Sequence, residues 1–259
     1  MKFNLPKSIV QFVDNAREVM RDEIGESPCE VYKIAAKNEV FFLKISGKIY
    51  SPTTFSVTRE ARVLAWLTGK ISVPEIILHA ENDECECMIA RAVPGLPLYD
   101  FMSQPQLVID AFCEAIRCLQ QIPVNDCPFD SSAAHRLAEA QYIIDKNLVA
   151  DDFGFDKSAD FMTPADLLNY LKVNQVQENP VFSHGDLGDS NVFLDNQNNL
   201  YFIDLGRGGI ADRWVDMAFA YRNLSEELSL NAAETLMKKL GLKDDPEKRR
   251  YFETLDELF

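Results

Sequence analysis

The chain reads as an α+β protein in two parts, a small strand-rich amino-terminal lobe and a larger helical carboxyl-terminal lobe. Three observations predict this. Two apolar runs between residues 31 and 45 flank a polar Lys37-Asn38-Glu39 turn, as paired strands do. Val93-Pro94-Gly95-Leu96-Pro97, with two prolines and a glycine, marks a hinge-like connection. Beyond residue 100 the apolar periodicity turns helical, interrupted by one strong strand signal. The expected divisions are therefore 1–92, a 93–99 linker and 100–259.

In chain order, Val31-Tyr32-Lys33-Ile34-Ala35 and Val40-Phe41-Phe42-Leu43-Lys44-Ile45 are the first strands expected. Thr53 to Leu67 reads as a helix, because Val57, Ala61, Leu64 and Leu67 share one face. Ile76-Ile77-Leu78 and Met88-Ile89-Ala90 read as strands around the acidic Glu81-Asn82-Asp83-Glu84 turn. After the hinge, Gln106 to Gln121, Ser132 to Val149, Pro164 to Val173, Trp214 to Asn223, Glu226 to Leu240 and Pro246 to Leu258 are expected helices. The strand signal among them is Val192-Phe193-Leu194 and Leu200-Tyr201-Phe202-Ile203, separated by the turn-rich Asp195-Asn196-Gln197-Asn198-Asn199.

Composition narrows the chemistry. At 259 residues the chain can bury a substantial core, and its formal charge is −15. Such a surface repels nucleic acid and anionic membrane and attracts polycations, or simply aids solubility. The first residues lack the apolar core of a signal peptide, and no apolar run reaches the roughly 20 residues of a membrane span. Six cysteines without paired metal-site spacing, in a chain with three histidines, suggest free thiols in the cytoplasm. Cys85-Glu86-Cys87 leaves a metal-binding reading open, with a pair of reduced thiols as the alternative. Three histidines are too few for the two-metal site of a metallophosphatase.

The run Val181-Phe182-Ser183-His184-Gly185-Asp186-Leu187-Gly188-Asp189-Ser190-Asn191, followed by Ile203-Asp204-Leu205-Gly206, carries the chemistry. Asp186, Asn191 five residues later and Asp204 eighteen residues after Asp186 form a set suited to phosphoryl transfer from ATP. One carboxylate orients the attacking hydroxyl, while an amide oxygen and a second carboxylate hold magnesium. The intervening hairpin explains how Asn191 and Asp204 meet: an antiparallel pair returns its second strand beside the start of its first. Two protein oxygens suffice for Mg²⁺, which binds oxygens at about 2.1 Å and retains several waters.

This spacing resembles the protein-kinase pattern H-R-D-x-x-x-x-N followed by D-F-G, with Gly185 in place of Arg and Leu205 in place of Phe. The wording Ser-His-Gly-Asp-Leu-Gly-Asp-Ser-Asn, with the Asp-Glu-Leu-Phe ending, most closely resembles the aminoglycoside 3′-phosphotransferases (kanamycin kinases). The resemblance runs over nearly the whole chain, from Gly25-Glu26-Ser27-Pro28 to Asp256-Glu257-Leu258-Phe259. It implies a two-lobed protein-kinase-like fold, ATP and Mg²⁺ as cofactors, and phosphorylation of an aminoglycoside 3′-hydroxyl that confers antibiotic resistance. The expected partners are a cationic small molecule, neither nucleic acid nor membrane, for a cytoplasmic monomer or weak dimer. Two alternatives share the fold: a kinase of another small hydroxylated metabolite, and a non-catalytic nucleotide-binding module. A protein-kinase role is not expected, because Ala211-Asp212-Arg213-Trp214 comes soon after Asp204 with no obvious activation segment.

The resemblance distributes roles. Lys44, on a strand, and Glu60, on a helix, match the ion pair that steadies the ATP phosphates; taken alone they read as solvated charges. Ser27, in the glycine-poor loop Gly25 to Val31, is placed at the β-phosphate. Phe42 is placed on the adenine ring, with a strand-core role open beside it, and backbone groups of Ala90 and Ala92 are placed at adenine. Asp186 is the catalytic residue, Asn191 and Asp204 the metal ligands, and His184 a brace for the loop. Arg207 is expected to neutralise phosphate charge, with a solvent-exposed side chain or a salt bridge to Asp189 or Asp216 open beside it; Asp216 reads as structural. For the acceptor, acidity points to Asp156 among Asp151, Asp152 and Asp160, to Asp189, to Glu226 and Glu227 at a helix start, and to Glu257 and the Phe259 carboxylate. Each of these also reads as part of a solvated face.

Overall fold

A computed structural model describes residues 2–22, 27–149 and 163–259. In chain order these form α1 (Lys7–Asp14), β1 (Glu18–Asp22), β2 (Glu30–Ala36), β3 (Glu39–Gly47), α2 (Val57–Leu67), β4 (Ile76–Glu81), β5 (Cys85–Arg91) and β6 (Leu96–Pro97). Next come α3 (Pro105–Gln120), α4 (Ala133–Asp145), α5 (Pro164–Val173), β7 (Pro180–Ser183), β8 (Val192–Leu194), β9 (Leu200–Phe202), β10 (Gly209–Asp212), α6 (Trp214–Glu227), α7 (Leu230–Leu240) and α8 (Pro246–Asp256). The chain divides into two compact units, Met1–Pro97 with Ser190–Gly208, and Leu98–Asp189 with Gly209–Phe259.

The first unit is built on an antiparallel sheet of order β1-β2-β3-β5-β4. Alternation gives it two faces. Tyr32, Ile34, Phe41, Leu43, Ile45, Cys85, Cys87 and Ile89 form a buried cluster with Ile9 of α1, and Phe12 and Val13 pack against it. The intervening residues of β3, Phe42, Lys44 and Ser46, stand opposite Ala90, Met88 and Glu86 of β5. Helix α2 lies on that second face, since Glu60 bonds to Lys44. It starts at Val57 rather than at Thr53, because the Ser56 side chain accepts the Arg59 N–H and caps it.

Hairpin β8–β9 belongs to this unit, although its place in the sequence suggested the helical one. Phe202 N–H donates to the Ser72 carbonyl, and Leu96 of β6 pairs with Leu194 of β8. Gly95, at φ +91, allows that pairing, because a Cβ there would collide with the Leu194 carbonyl. Asp195 closes the hairpin by accepting the N–H groups of Gln197 and Asn199.

In the second unit α6 is buried nearly all round, with Met217, Ala220 and Leu224 fully enclosed, and it packs against both α7 and α8. Helix starts carry the expected signals: Ser132, Thr163, Ser229 and Asp245 accept first-turn N–H groups, and Pro105, Pro164 and Pro246 come directly after their caps. Strands β7 and β10 pair antiparallel with Ser183 opposite Gly209. Among the described residues, no helix is long and apolar enough to cross a membrane. All six cysteines are free.

Candidate active site

Lys44 is held from two sides. Its ammonium lies 3.0 and 2.8 Å from the two Glu60 oxygens and 2.6 Å from Asp204 Oδ1. The cluster runs from dry to wet, with side-chain exposures of 8% for Glu60, 15% for Lys44 and 47% for Asp204. Burial opposes the Lys44 charge, but Asp204 and Glu60 outweigh it and raise its pKa above the ordinary lysine value. At Glu60 burial dominates and pushes the carboxyl up, with Lys44 opposing. Two carboxylates around one ammonium leave an excess negative charge at the wettest corner, where an incoming cation would meet it.

The hairpin places Asn191 beside that corner. Val192 pairs with Phe202, and one position further the Ile203 N–H donates to the Asn191 carbonyl at 3.1 Å. Asp204 comes next in the left-handed conformation, φ 58 and ψ 48, at the head of a 3-10 turn spanning Leu205–Arg207. For a non-glycine residue that conformation costs on the order of 1 kcal/mol and persists only where neighbours hold it. An amide oxygen and a carboxylate at adjacent hairpin ends form a hard-oxygen donor pair that fits Mg²⁺ completed by water and phosphate. Among the described residues no group of three or more His, Cys, Asp or Glu could hold a metal without such help.

Asp186 belongs to the other unit, on a loop braced from beneath by Asp216. The buried Asp216 carboxylate accepts from Ser183 Oγ at 2.8 Å, from the His184 N–H at 2.9 Å and from the Gly185 N–H at 3.0 Å. Burial raises the Asp216 pKa, with His184 and these donors opposing. Gly185 sits at φ +82, where a side chain would be strained, and Leu187 is fully buried. These anchors leave Asp186 and Asp189 half-buried. His184 is itself fully buried, and it is its backbone N–H that bonds Asp216.

The remaining expected residues are spread over both units. Phe42 is half-buried on the Lys44 face, while the sheet core takes its neighbour Phe41. Ser27 is exposed and hydrogen-bonds the Cys29 thiol, whose pKa burial pushes to about 11. Ala90 lies in the β5 ladder opposite Phe42. The Ala92 N–H donates to the Val40 carbonyl at 3.0 Å, which continues the ladder one pair beyond the strand. The Arg207 guanidinium lies over the Phe55 ring, 5.8 Å from its centre, and Asp216 takes the structural role expected of it, in the 183–185 loop. Asp156 lies outside the described residues, as do Asp151, Asp152, Asp160, Gly25 and Glu26.

The acidic pair Glu226-Glu227 closes α6 instead of opening the next helix, which Ser229 caps. Carboxylates at a helix C-terminus oppose its dipole, so helix stability does not account for them. Arg222, one turn earlier, bonds Asp256 at 2.7 Å and feels Glu226 and Glu253. The carboxyl terminus is thereby tied to the end of α6. Glu257 ends α8, and the Arg136 guanidinium stacks 3.9 Å from the centre of the Phe259 ring.

Glu86 went unassigned in the sequence. The metal reading of Cys85-Glu86-Cys87 fails because both cysteines face the apolar core, their sulfurs 3.7 Å apart, while Glu86 faces α2. There the buried Glu86 carboxylate accepts from Ser56 Oγ at 2.6 Å and from the Thr58 N–H at 3.0 Å, at the start of the helix that carries Glu60. A charged residue between two core cysteines was the available signal.

A model of the phosphotransferase enzyme family matches residues 24–252. An aminoglycoside 3′-phosphotransferase from Acinetobacter baumannii is 42% identical over 98% of this chain and 99% of its own. The solved structure of a type VIII aminoglycoside-3′-phosphotransferase superposes with a TM-score of 0.82 at 24% identity, covering 97% of both chains. That of an aminoglycoside phosphotransferase from Streptomyces rimosus, in complex with ADP and streptomycin, gives 0.75 at 23% identity over 91% of this chain and 94% of that one. The fold is thus the protein-kinase-like one expected. By its matched family model and by identity over its whole length, the chain belongs to the phosphotransferase enzyme family, among the aminoglycoside 3′-phosphotransferases.

Proposed function

We propose that this chain transfers the γ-phosphoryl group of ATP to the 3′-hydroxyl of a kanamycin- or neomycin-type aminoglycoside, and thereby confers resistance. The observation that carries the reading is the Lys44–Glu60–Asp204 cluster, joined by the hairpin to Asn191. Lys44, fixed by Glu60, holds nucleotide phosphates, while Phe42 on the same face of β3 packs against the base and Ser27 contacts phosphate. Asn191 and Asp204 would hold Mg²⁺, which supplies charge neutralisation at the β- and γ-phosphates. Asp186 orients the acceptor hydroxyl and takes its proton late, since the transfer is largely dissociative. Arg207 adds positive charge beside Asp204.

The acceptor is a polyamine, and the residues proposed for it are acidic. Glu226, Glu227, Glu257, the Phe259 carboxylate, Asp189 and Asp156 supply the field and the hydrogen-bond acceptors that ammonium groups require. The placement of Glu226 and Glu227 against the α6 dipole favours this role over a purely structural one. Free thiols and a strongly negative surface suit a cytoplasmic enzyme whose ligand is a cation. Purified protein incubated with Mg-ATP and kanamycin is expected to release ADP continuously. Silence across a panel of 3′-hydroxyl aminoglycosides, with turnover of a small hydroxylated metabolite, would overturn the acceptor assignment.

A further inference from the structure

Arg59 stands next to Glu60 on α2 and makes a connection that the roles proposed for its neighbours leave unused. Its Nε donates to the Gly206 carbonyl at 2.9 Å and its Nη2 to the Gly208 carbonyl at 3.1 Å. A guanidinium is a rigid fork, so two bonds to carbonyls two residues apart fix a backbone segment in both position and direction. The segment is the turn that begins at Asp204. Gly206 lies so close to the approach of α2 that an added Cβ would fall 2.6 Å from the Thr54 carbonyl oxygen. Leu205 is fully buried beside it. The Asp204 side chain makes no cap to the turn and bonds Lys44 instead, while the residues that follow it, 205–208, carry the anchors to α2 and the core.

We infer that Arg59 is a positioning residue: it clamps the Asp204–Gly208 turn to α2, so that one helix sets both the Glu60 and the Asp204 carboxylates around Lys44. The inference rests on the proposed role of Asp204 toward Mg²⁺. Losing the fork would loosen the backbone that presents Asp204, while Lys44 and Glu60 keep their own pairing. The defect would then appear in the metal-dependent part of nucleotide binding and spare the metal-free part. Supporting groups behind a ligand typically contribute about 10–100-fold to metal affinity or activity.

The test is calorimetric titration of ADP with and without Mg²⁺ into the wild-type chain, Arg59→Ala and Arg59→Lys, with kanamycin turnover measured in parallel. Wild type is expected to bind ADP more tightly with the metal. Arg59→Ala should lose about 10-fold or more of that gain while its metal-free ADP affinity stays near wild type. Arg59→Lys retains the charge without the fork and should recover only part; it carries the test if the alanine variant does not fold. Variants that keep the full wild-type gain would overturn the clamp, as would a wild type showing no gain. Absence of kanamycin turnover with these binding results intact would instead overturn the acceptor assignment and leave the clamp standing.

Discussion

Two acidic regions of this molecule use the same side chains in opposite ways. Around Lys44, a strand, a helix and a hairpin deliver one cation and two carboxylates at 2.6–3.0 Å, with Lys44 and Glu60 shielded from water and Asp204 open to it. At the end of α6 the carboxylates outnumber the cations: Arg222 faces Asp256, Glu226 and Glu253, while Glu226 and Glu227 are exposed. The first arrangement is short-ranged and sets geometry, because burial makes Lys44 and Glu60 costly to leave unpaired. The second leaves negative charge unmatched, and an unmatched field attracts a soluble cation. The proposed function thus assigns positioning and attraction to different residues.

The comparison can be broken most directly at Asp186. Asp186→Ala is expected to lower turnover by about 10²–10⁴-fold, read by ADP release, with nucleotide affinity retained. Turnover near wild type would remove Asp186 from the chemistry.

Next in size is the buried pair. Lys44→Met leaves Glu60 buried without its cation, and about 3–5 kcal/mol of unfolding free energy should be lost in a denaturant titration. The double variant Lys44→Met with Glu60→Met should regain most of that stability and none of the turnover. Recovery of both would mean that the pair serves packing alone.

At the other region the effect should be smaller and confined to the acceptor. Glu226→Gln with Glu227→Gln is expected to raise the kanamycin KM by about 10-fold, to leave the ATP KM in place and to flatten its salt dependence. The melting temperature should not fall, because neutralising a helix C-terminus removes an unfavourable interaction with the dipole. A lowered melting temperature with unchanged KM would make these carboxylates structural.

The smallest effect concerns Glu86. Burial works against its charge, yet donors from Ser51, Ser56 and Thr58, with Lys48, hold its pKa below the ordinary 4.5. A depressed carboxyl contributes stability above the unfolded value, lost as pH falls through the native one. Denaturant midpoints should therefore place wild type above Glu86→Gln at neutral pH, with the gap closing below 4.5.

Much of this was legible in the residues. Hairpin β8–β9 was, because alternating apolar runs around an Asp- and Asn-rich turn carry both strand and turn signals. Strand β1 was not: Glu18, Val19, Met20 and Arg21 are all exposed, so no alternation marks this strand, which pairs with β2. Strands β7 and β10 escaped because four residues are too few to show a period. The helix expected from Glu226 begins at Leu230 instead, after the Ser229 cap, since helix-favouring residues run on both sides of the cap. The bond from the Ala92 N–H to the Val40 carbonyl could not be read either, because a sheet neighbour is invisible along the chain.

By itself the sequence determined which groups exist and how far apart they lie along the chain, and therefore the strand–helix order, the hairpin and the family. Only the tertiary structure decided that Asp204 reaches Lys44 across 160 positions, that Glu86 braces α2 and that Arg59 grips two glycine carbonyls. The reason is physical: local patterns are written in neighbours three or four residues apart, whereas hydrogen bonds between distant segments exist only once a packed core has brought them within 3 Å or so.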